Sequence, residues 1–352
     1  MKIRQWILIA WFMSRIIGEC WPIRDVSGWV QESLRCDDIS RRRKEREMHR
    51  ESLPPAPEDD LPVRDAGPYV LDKLGVLNAY LWEFAKAGNG QGTGRSPSKW
   101  WYIDASAGPG VNRLKTDGTR LAGSPIIAMA VNDPPVYPAA AGLVFADNDP
   151  KAVTVLRQRT SHDERARVLL ADVHSDPEAV LSTVPRNAPA FAFFDPTGLE
   201  CSWSTLEFFS RWRTVGRYKM ELLVMLPVWV GMLRTLFKDR AIPDSFHRSW
   251  GEMFGPLAWS DWFREDYQSS RLTPEERKAA IDRLTRMYEG GFKSHLGYAS
   301  VQRRLVPDHG QPRYWLIFAS DHPAGDRIMK SVMDNRYAPQ QSLFKTDPGP
   351  YR

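Results

Sequence analysis

Cysteine is scarce in this chain: its 352 residues include three, Cys20, Cys36 and Cys201. Three cysteines cannot build a disulfide framework, and no CxxC or Cys/His cluster has the spacing of a zinc site. A reducing, cytoplasmic setting is therefore the default expectation. Long apolar runs are also missing. The run at positions 6–13 (WILIAWFM) has eight residues, against the roughly 20 that a helix needs to cross a bilayer. No small-x-small cleavage site follows it, so neither secretion nor membrane attachment is expected. The GxGxxG fingerprint is absent where the first strand meets its loop, which argues against an ordinary nicotinamide-binding turn. His174, His247, His295, His309 and His322 are not spaced for a metal, and no metal is expected.

Charge and tryptophan are present in quantity, but unevenly. The chain carries 48 Lys+Arg against 43 Asp+Glu, a net +5, with 14 tryptophans. Residues 1–50 hold 11 basic and 7 acidic side chains, a net +4, along with four of the tryptophans and two of the cysteines. The other 302 residues are nearly neutral at +1, so bulk charge makes no case for a nucleic-acid partner. Residues 1–50 read as an N-terminal extension, with Met48 as a candidate start. Residues 51–68 contain Pro54, Pro55, Pro57, Pro62 and Pro68 beside Glu58, Asp59 and Asp60, and read as a Pro-rich acidic linker.

From residue 69 the pattern becomes regular. Leu71, Leu74, Leu77, Leu81 and Phe84 recur at helical spacing, which predicts an amphipathic helix over 69–87. Residues 100–105 (WWYIDA) then read as a strand running into a glycine loop that continues to Gly123. Ser124 and Pro125 open a helix. Strand-then-helix units follow: strands at 142–147 (GLVFAD), 166–171 (ARVLLA), 190–195 (AFAFFD) and 220–226 (MELLVML), with helices near 150–160, 177–183 and 204–212. These apolar runs do not alternate with polar residues, as is usual for strands buried on both faces of a parallel sheet. Residues 229–293 read as a helical insertion. Residues 294–336 close the core with a hairpin (298–306 and 314–319) and a helix, and 337–352 form a polar tail. The expectation is a doubly wound, Rossmann-like methyltransferase-type sheet, mostly parallel with a terminal antiparallel hairpin, over a core of 69–228 and 294–336.

In such a sheet the ligand lies beyond the carboxyl ends of the strands, and acidic residues stand there in succession. Strand one ends in Asp104, followed by Ala107-Gly108-Pro109-Gly110. Strand two ends in Asp147 and Asp149, strand three in Asp172, and strand four in Asp195-Pro196-Thr197-Gly198. Gly108 and Gly110 permit positive φ and a close backbone approach to a ligand. Asp104 suits a cationic ligand rather than a pyrophosphate. An acid at the end of strand two suits a ribose diol, and Asp172 can accept from an adenine amino group. Together they point to S-adenosyl-L-methionine, with Asp104, Ala107, Gly108, Gly110, Asp147 and Asp172 as cofactor-binding residues. Each feature alone also reads as a turn or a helix cap.

The segments YIDASAGPG, GSPIIAM, FAFFDPTG and YWLIFASDHPAGDRIM together resemble the three-Cys-motif partner protein (TcmP) family. The resemblance covers roughly residues 69–335. It implies a methyltransferase-like fold and cofactor, and a partner protein that bears the three-cysteine motif. Amino-methyltransferases carry (D/N/S)-P-P-(Y/F/W) after strand four. Asp195 and Pro196 match this motif and are the candidate catalytic residues. Thr197 and Gly198 replace the second proline and the aromatic, which weighs against methylation of a base amine. Other candidates read as structural. Arg211, Arg213, Arg217 and Lys219 with Trp212 and Tyr218, or Arg303 and Arg304, could face phosphates, but fit a solvated surface better. Trp203 fits the core better than a stacking role, and Cys201 has no histidine near it in sequence. The insertion is expected to cover the acceptor. The competing reading is a non-catalytic interaction partner in a mobile-element or defence setting.

Overall fold

The computed structural model describes residues 52–88, 99–133, 136–228, 244–257, 273–308 and 311–334. All belong to the unit Met48–Arg352. The expected extension, tail and parts of the insertion (229–243 and 258–272) lie outside these residues.

The main sheet has seven strands. Its parallel members are β2 (Trp101–Asp104), β5 (Gly142–Asp147), β6 (Ala166–Leu170), β7 (Ala190–Phe194) and β8 (Glu221–Pro227). The hairpin β9 (Ser300–Asp308) and β10 (Gln311–Ser320) follows, with β10 antiparallel to both β9 and β8. The spatial order is β6-β5-β2-β7-β8-β10-β9. The chain thus starts in the middle, winds to one edge, returns past its start and ends in an inserted antiparallel strand. This is the doubly wound, methyltransferase-type Rossmann arrangement.

The strands sort their side chains by the period of two. Ile103, Val144, Ala192, Phe194, Leu222, Val224 and Ile317 enter one core, while Tyr102, Phe145, Phe191, Phe193, Leu223 and Phe318 enter the other. The second core is covered by α1 (Val70–Gly88), α2 (Ser124–Ala130) and α8 (Pro323–Met333). The first is covered by α4 (Pro177–Leu181), α5 (Trp203–Trp212), α6 (Asp244–Phe254) and α7 (Pro274–Ser294). Another helix, α3 (Pro150–Thr160), enters the second core through Leu156 and packs beside β5 and the edge strand β6. Because β6 is an edge, it departs from the expectation of strands buried on both faces: Leu170 is 54% exposed.

Three short strands lie where the sequence suggests only linker and loop. β1 (Arg64–Ala66), β3 (Val111–Leu114) and β4 (Arg120–Ala122) form a second sheet in the order β1-β3-β4. They are three or four residues long and rich in charge, too short for a period to show. Residues 52–68 are correspondingly not a free linker. The Arg159 guanidinium grips Asp59 through Nε and Nη2 at 2.9 and 2.8 Å, and Arg120 Nη2 reaches the same carboxyl at 2.7 Å. The described parts of the insertion, α6 and α7, pack on the first core through Trp250, Phe254, Tyr288 and Phe292. A capping box of Thr273 and Glu276 starts α7.

Candidate active site

A cavity of about 430 Å³ opens at the carboxyl ends of β2, β5, β6 and β7. Its wall includes Ser106, Gly108, Pro109, Asp147, Asp149, Asp172, His174, Asp195, Pro196 and Glu200, together with Pro62, Val63 and Arg64 from β1 and the segment before it. Its size lies in the range of about 300–1,000 Å³ typical of small-molecule sites.

The glycine loop after β2 forms the floor. Gly108 and Gly110 have φ of +60° and +83°, a conformation that favours glycine. A Cβ on Gly110 would lie 2.8 Å from Leu156 Cδ1, so close packing requires glycine there as well. The Gly108 N–H donates to Asp147 Oδ2 at 2.8 Å, and the Asp149 N–H donates to Asp147 Oδ1 at 2.8 Å. Asp147 therefore fixes the loop from strand β5. Each of its oxygens keeps a second lone pair.

The structure divides the residues expected to hold the cofactor. Gly108, Asp147 and Asp172 line the cavity. Asp104, Ala107 and Gly110 are buried and are not part of its wall. Asp104 lies two residues along β2 from Tyr102, hence on the same face, and accepts from the Tyr102 hydroxyl and the Ser106 N–H, each at 3.2 Å. Burial pushes its carboxyl up to about 7, against the opposing pull of the Ser124 hydrogen bond. It is fully buried and holds the start of the loop through the Ser106 N–H.

At the end of β7, Asp195 and Pro196 both line the cavity. Asp195 forms a largely buried ion pair with Lys73 of α1, two side chains 122 positions apart and each about one-tenth exposed. Lys73 was not singled out in the sequence. The available signal was a lysine three and four residues before Val76 and Leu77 on a helix whose faces are nearly all buried. Glu200 closes the turn that replaces the aromatic motif, accepting from the Thr197 hydroxyl and the Gly198 N–H. No Phe, Tyr or Trp appears in the cavity wall among the described residues. His174, whose spacing from the other histidines fits no metal site, stands in this wall, and its Nδ1 lies 3.1 Å from Thr205 Oγ1. Burial lowers its pKa, which favours the neutral ring.

The other candidates are placed elsewhere. Trp203 is 2% exposed and packs edge-on against Tyr288 and Phe292 of α7. Cys201 is fully buried, and burial raises its pKa, the opposite of an activated thiol. Arg213 donates to the Tyr218 carbonyl, Lys219 pairs with Asp321 at 3.0 Å, Arg211 pairs with Glu207, and Arg303 pairs with Glu289. Each of these four basic side chains is bound to one of the protein's own groups, with Arg211 still largely exposed. No described part of the insertion lines the cavity. Among the described residues no helix is long and apolar enough to cross a membrane.

No family model and no curated protein sequence matches the chain. Solved structures with some likeness include protein LPL1258 of Legionella pneumophila, at 12% identity and a TM-score of 0.42, covering 74% of this chain and 90% of that one. An rRNA methylase from Streptococcus thermophilus is 11% identical, with a TM-score of 0.33 and coverage of 70% and 94%. TYW2 of M. jannaschii, solved in complex with AdoMet, is 9% identical, with a TM-score of 0.29 and coverage of 68% and 74%. Likenesses this distant carry no argument about activity. The class of fold rests on the strand order and winding of the sheet itself.

Proposed function

We propose that this chain is an S-adenosyl-L-methionine-dependent methyltransferase. One observation carries the reading: the ends of three successive strands of a methyltransferase-type sheet, β5, β6 and β7, bring acidic residues to one cavity, beside a glycine loop with positive φ that follows β2. The donor set fits the cofactor. Asp147 would take the ribose hydroxyls with its remaining lone pairs, and Asp172 would accept from the adenine amino group. The backbone around Gly108 would pass beside the methionine portion, with Asp104, Ala107 and Gly110 shaping the loop from beneath. The bound cofactor would supply an electrophilic methyl group. Lys73 fixes the orientation of Asp195, and Asp195 with Pro196 positions the acceptor in line with that methyl.

The wall without a Phe, Tyr or Trp favours an acceptor other than a stacked base. The same observation keeps a second reading open: a non-catalytic chain docked to the three-cysteine partner implied by the family resemblance. Co-purification without that partner, with turnover of an acceptor, would exclude it.

Titration calorimetry with S-adenosylmethionine and S-adenosylhomocysteine tests the cofactor. Micromolar binding is expected, with a loss of about 1 kcal/mol or more in Asp172→Ala as one hydrogen bond disappears. No binding by folded protein would refute the reading, and unchanged affinity in the variant would refute the assigned orientation.

A further inference from the structure

One wall of the cavity comes from outside the Rossmann core. The segment 57–64 runs along the glycine loop and is held there by a single buried side chain. All five guanidinium donors of Arg159 are used. Nε and Nη2 hold Asp59, Nη2 also reaches the Leu61 carbonyl at 2.9 Å, and Nη1 reaches the Pro62 carbonyl at 2.9 Å and the Pro109 carbonyl at 2.5 Å. The last two bonds join the segment to the glycine loop through one planar group. Arg120 adds bonds to the Asp59 and Pro57 carbonyls at 2.6 and 3.0 Å. The Arg159 hydrogen bonds hold the Asp59 carboxyl well below the usual range, so this mount stays charged at ordinary pH.

The segment ends in β1, whose first residue is Arg64. Arg64 is exposed, lines the cavity, and lies so that a Cβ on Gly108 would be 3.7 Å from its Nη1. Its neighbour Asp65 is engaged with Arg113 at 2.8 Å. The Arg64 guanidinium has no hydrogen bond or ion pair with another described residue, while its backbone pairs with β3. The acids of the wall are Asp147, Asp149, Asp172, Glu200 and Asp195, the last paired with Lys73, and among the described residues Lys151 is the other lysine or arginine in it. A wall of that charge would repel a carboxylate unless a cation met it.

We propose that Arg64 binds the terminal carboxylate of the ligand's amino-acid half, beside Gly108, making the segment before the core part of the binding site. This rests on the cofactor reading above. A planar guanidinium suits a carboxylate through paired N–H donors.

Two probes separate the carboxylate from the rest of the ligand: S-adenosylhomocysteine, and 5′-methylthioadenosine, which lacks the amino-acid tail. Calorimetry on the full chain is expected to show that Arg64→Gln weakens adenosylhomocysteine about tenfold and leaves methylthioadenosine unchanged. Arg64→Lys should recover part of the loss. Arg64 is exposed, so the unfolding temperature of both variants should match the parent. An unchanged ratio of the two affinities in Arg64→Gln, with the parent binding adenosylhomocysteine, would overturn this inference alone. A parent that binds neither probe would overturn the cofactor reading with it.

Discussion

Two carboxyl groups are buried at opposite ends of the main sheet, in almost the same surroundings. Asp104 ends β2 and is bonded to the Tyr102 hydroxyl and to Ser124. Glu221 begins β8 and accepts from the Tyr80 and Ser320 hydroxyls at 2.5 and 2.6 Å. Burial raises both to about 7. What differs is the covering. Above Asp104 lie the glycine loop and the cavity, with Asp195 as a like charge that raises it further. Over Glu221 lies Gly325 of α8, where even a Cβ would collide with the carboxylate, the Tyr80 hydroxyl and the Ser320 hydroxyl. The same acid–tyrosine–serine grouping therefore lies beneath an open cavity at one end and a sealed plug at the other.

The largest test of this contrast is at the open end. Lys73→Met leaves Asp195 without its buried partner and is expected to cost about 3 kcal/mol in urea unfolding, with most of it regained in Lys73→Met/Asp195→Leu. A cost below about 0.5 kcal/mol would be that of an exposed pair and would erase the contrast. Next come the two glycines. Gly325→Ala is expected to destabilise by about 2 kcal/mol by overpacking while leaving adenosylhomocysteine affinity unchanged. Gly110→Ala meets Leu156 at a φ of +83° and should lower both stability and affinity. Equal effects of the two on affinity would show that the ends are not separate.

The smallest effect is that of pH. Both groups have folded pKa values above their ordinary 3.8 and 4.5. Between those values and about 7 the folded chain keeps protons that the unfolded chain has released. Stability therefore falls as pH rises through this window, is highest below it, and levels off above it. Glu221→Gln and Asp104→Asn should each flatten the fall from pH 5 to 8 by on the order of 1 kcal/mol. Glu221→Gln should leave binding untouched, whereas Asp104→Asn should change it through the loop. Chemical denaturation across this range, with and without adenosylhomocysteine, measures both.

Most of the main sheet was legible in the sequence because its signals are local. The runs at 142–147 and 190–195 are largely apolar; the first folds as β5 over those residues, and the second as β7 ending one residue earlier, at Phe194. Pro150 and Pro177 mark helix starts, and Asp149 and Asp176 cap them. The small sheet was not legible, because RDA, VNRL and RLA carry no pattern until they pair. Asp104 does end its strand, but it is fully buried there and is not part of the cavity wall. Position along a strand gives the end, while depth beneath a loop depends on what covers it.

The sequence by itself determined the succession of main-sheet strands and their helices, the glycine loop, and the acids at four strand ends. Spacing over a few residues encodes all of these. Tertiary structure alone decided that Lys73 meets Asp195 across 122 positions, and that Arg159 reaches Asp59 across 100. It also decided that Arg64 stands over Gly108. Contacts between distant parts of the chain leave no periodic trace in it, because their geometry exists only after the core has closed.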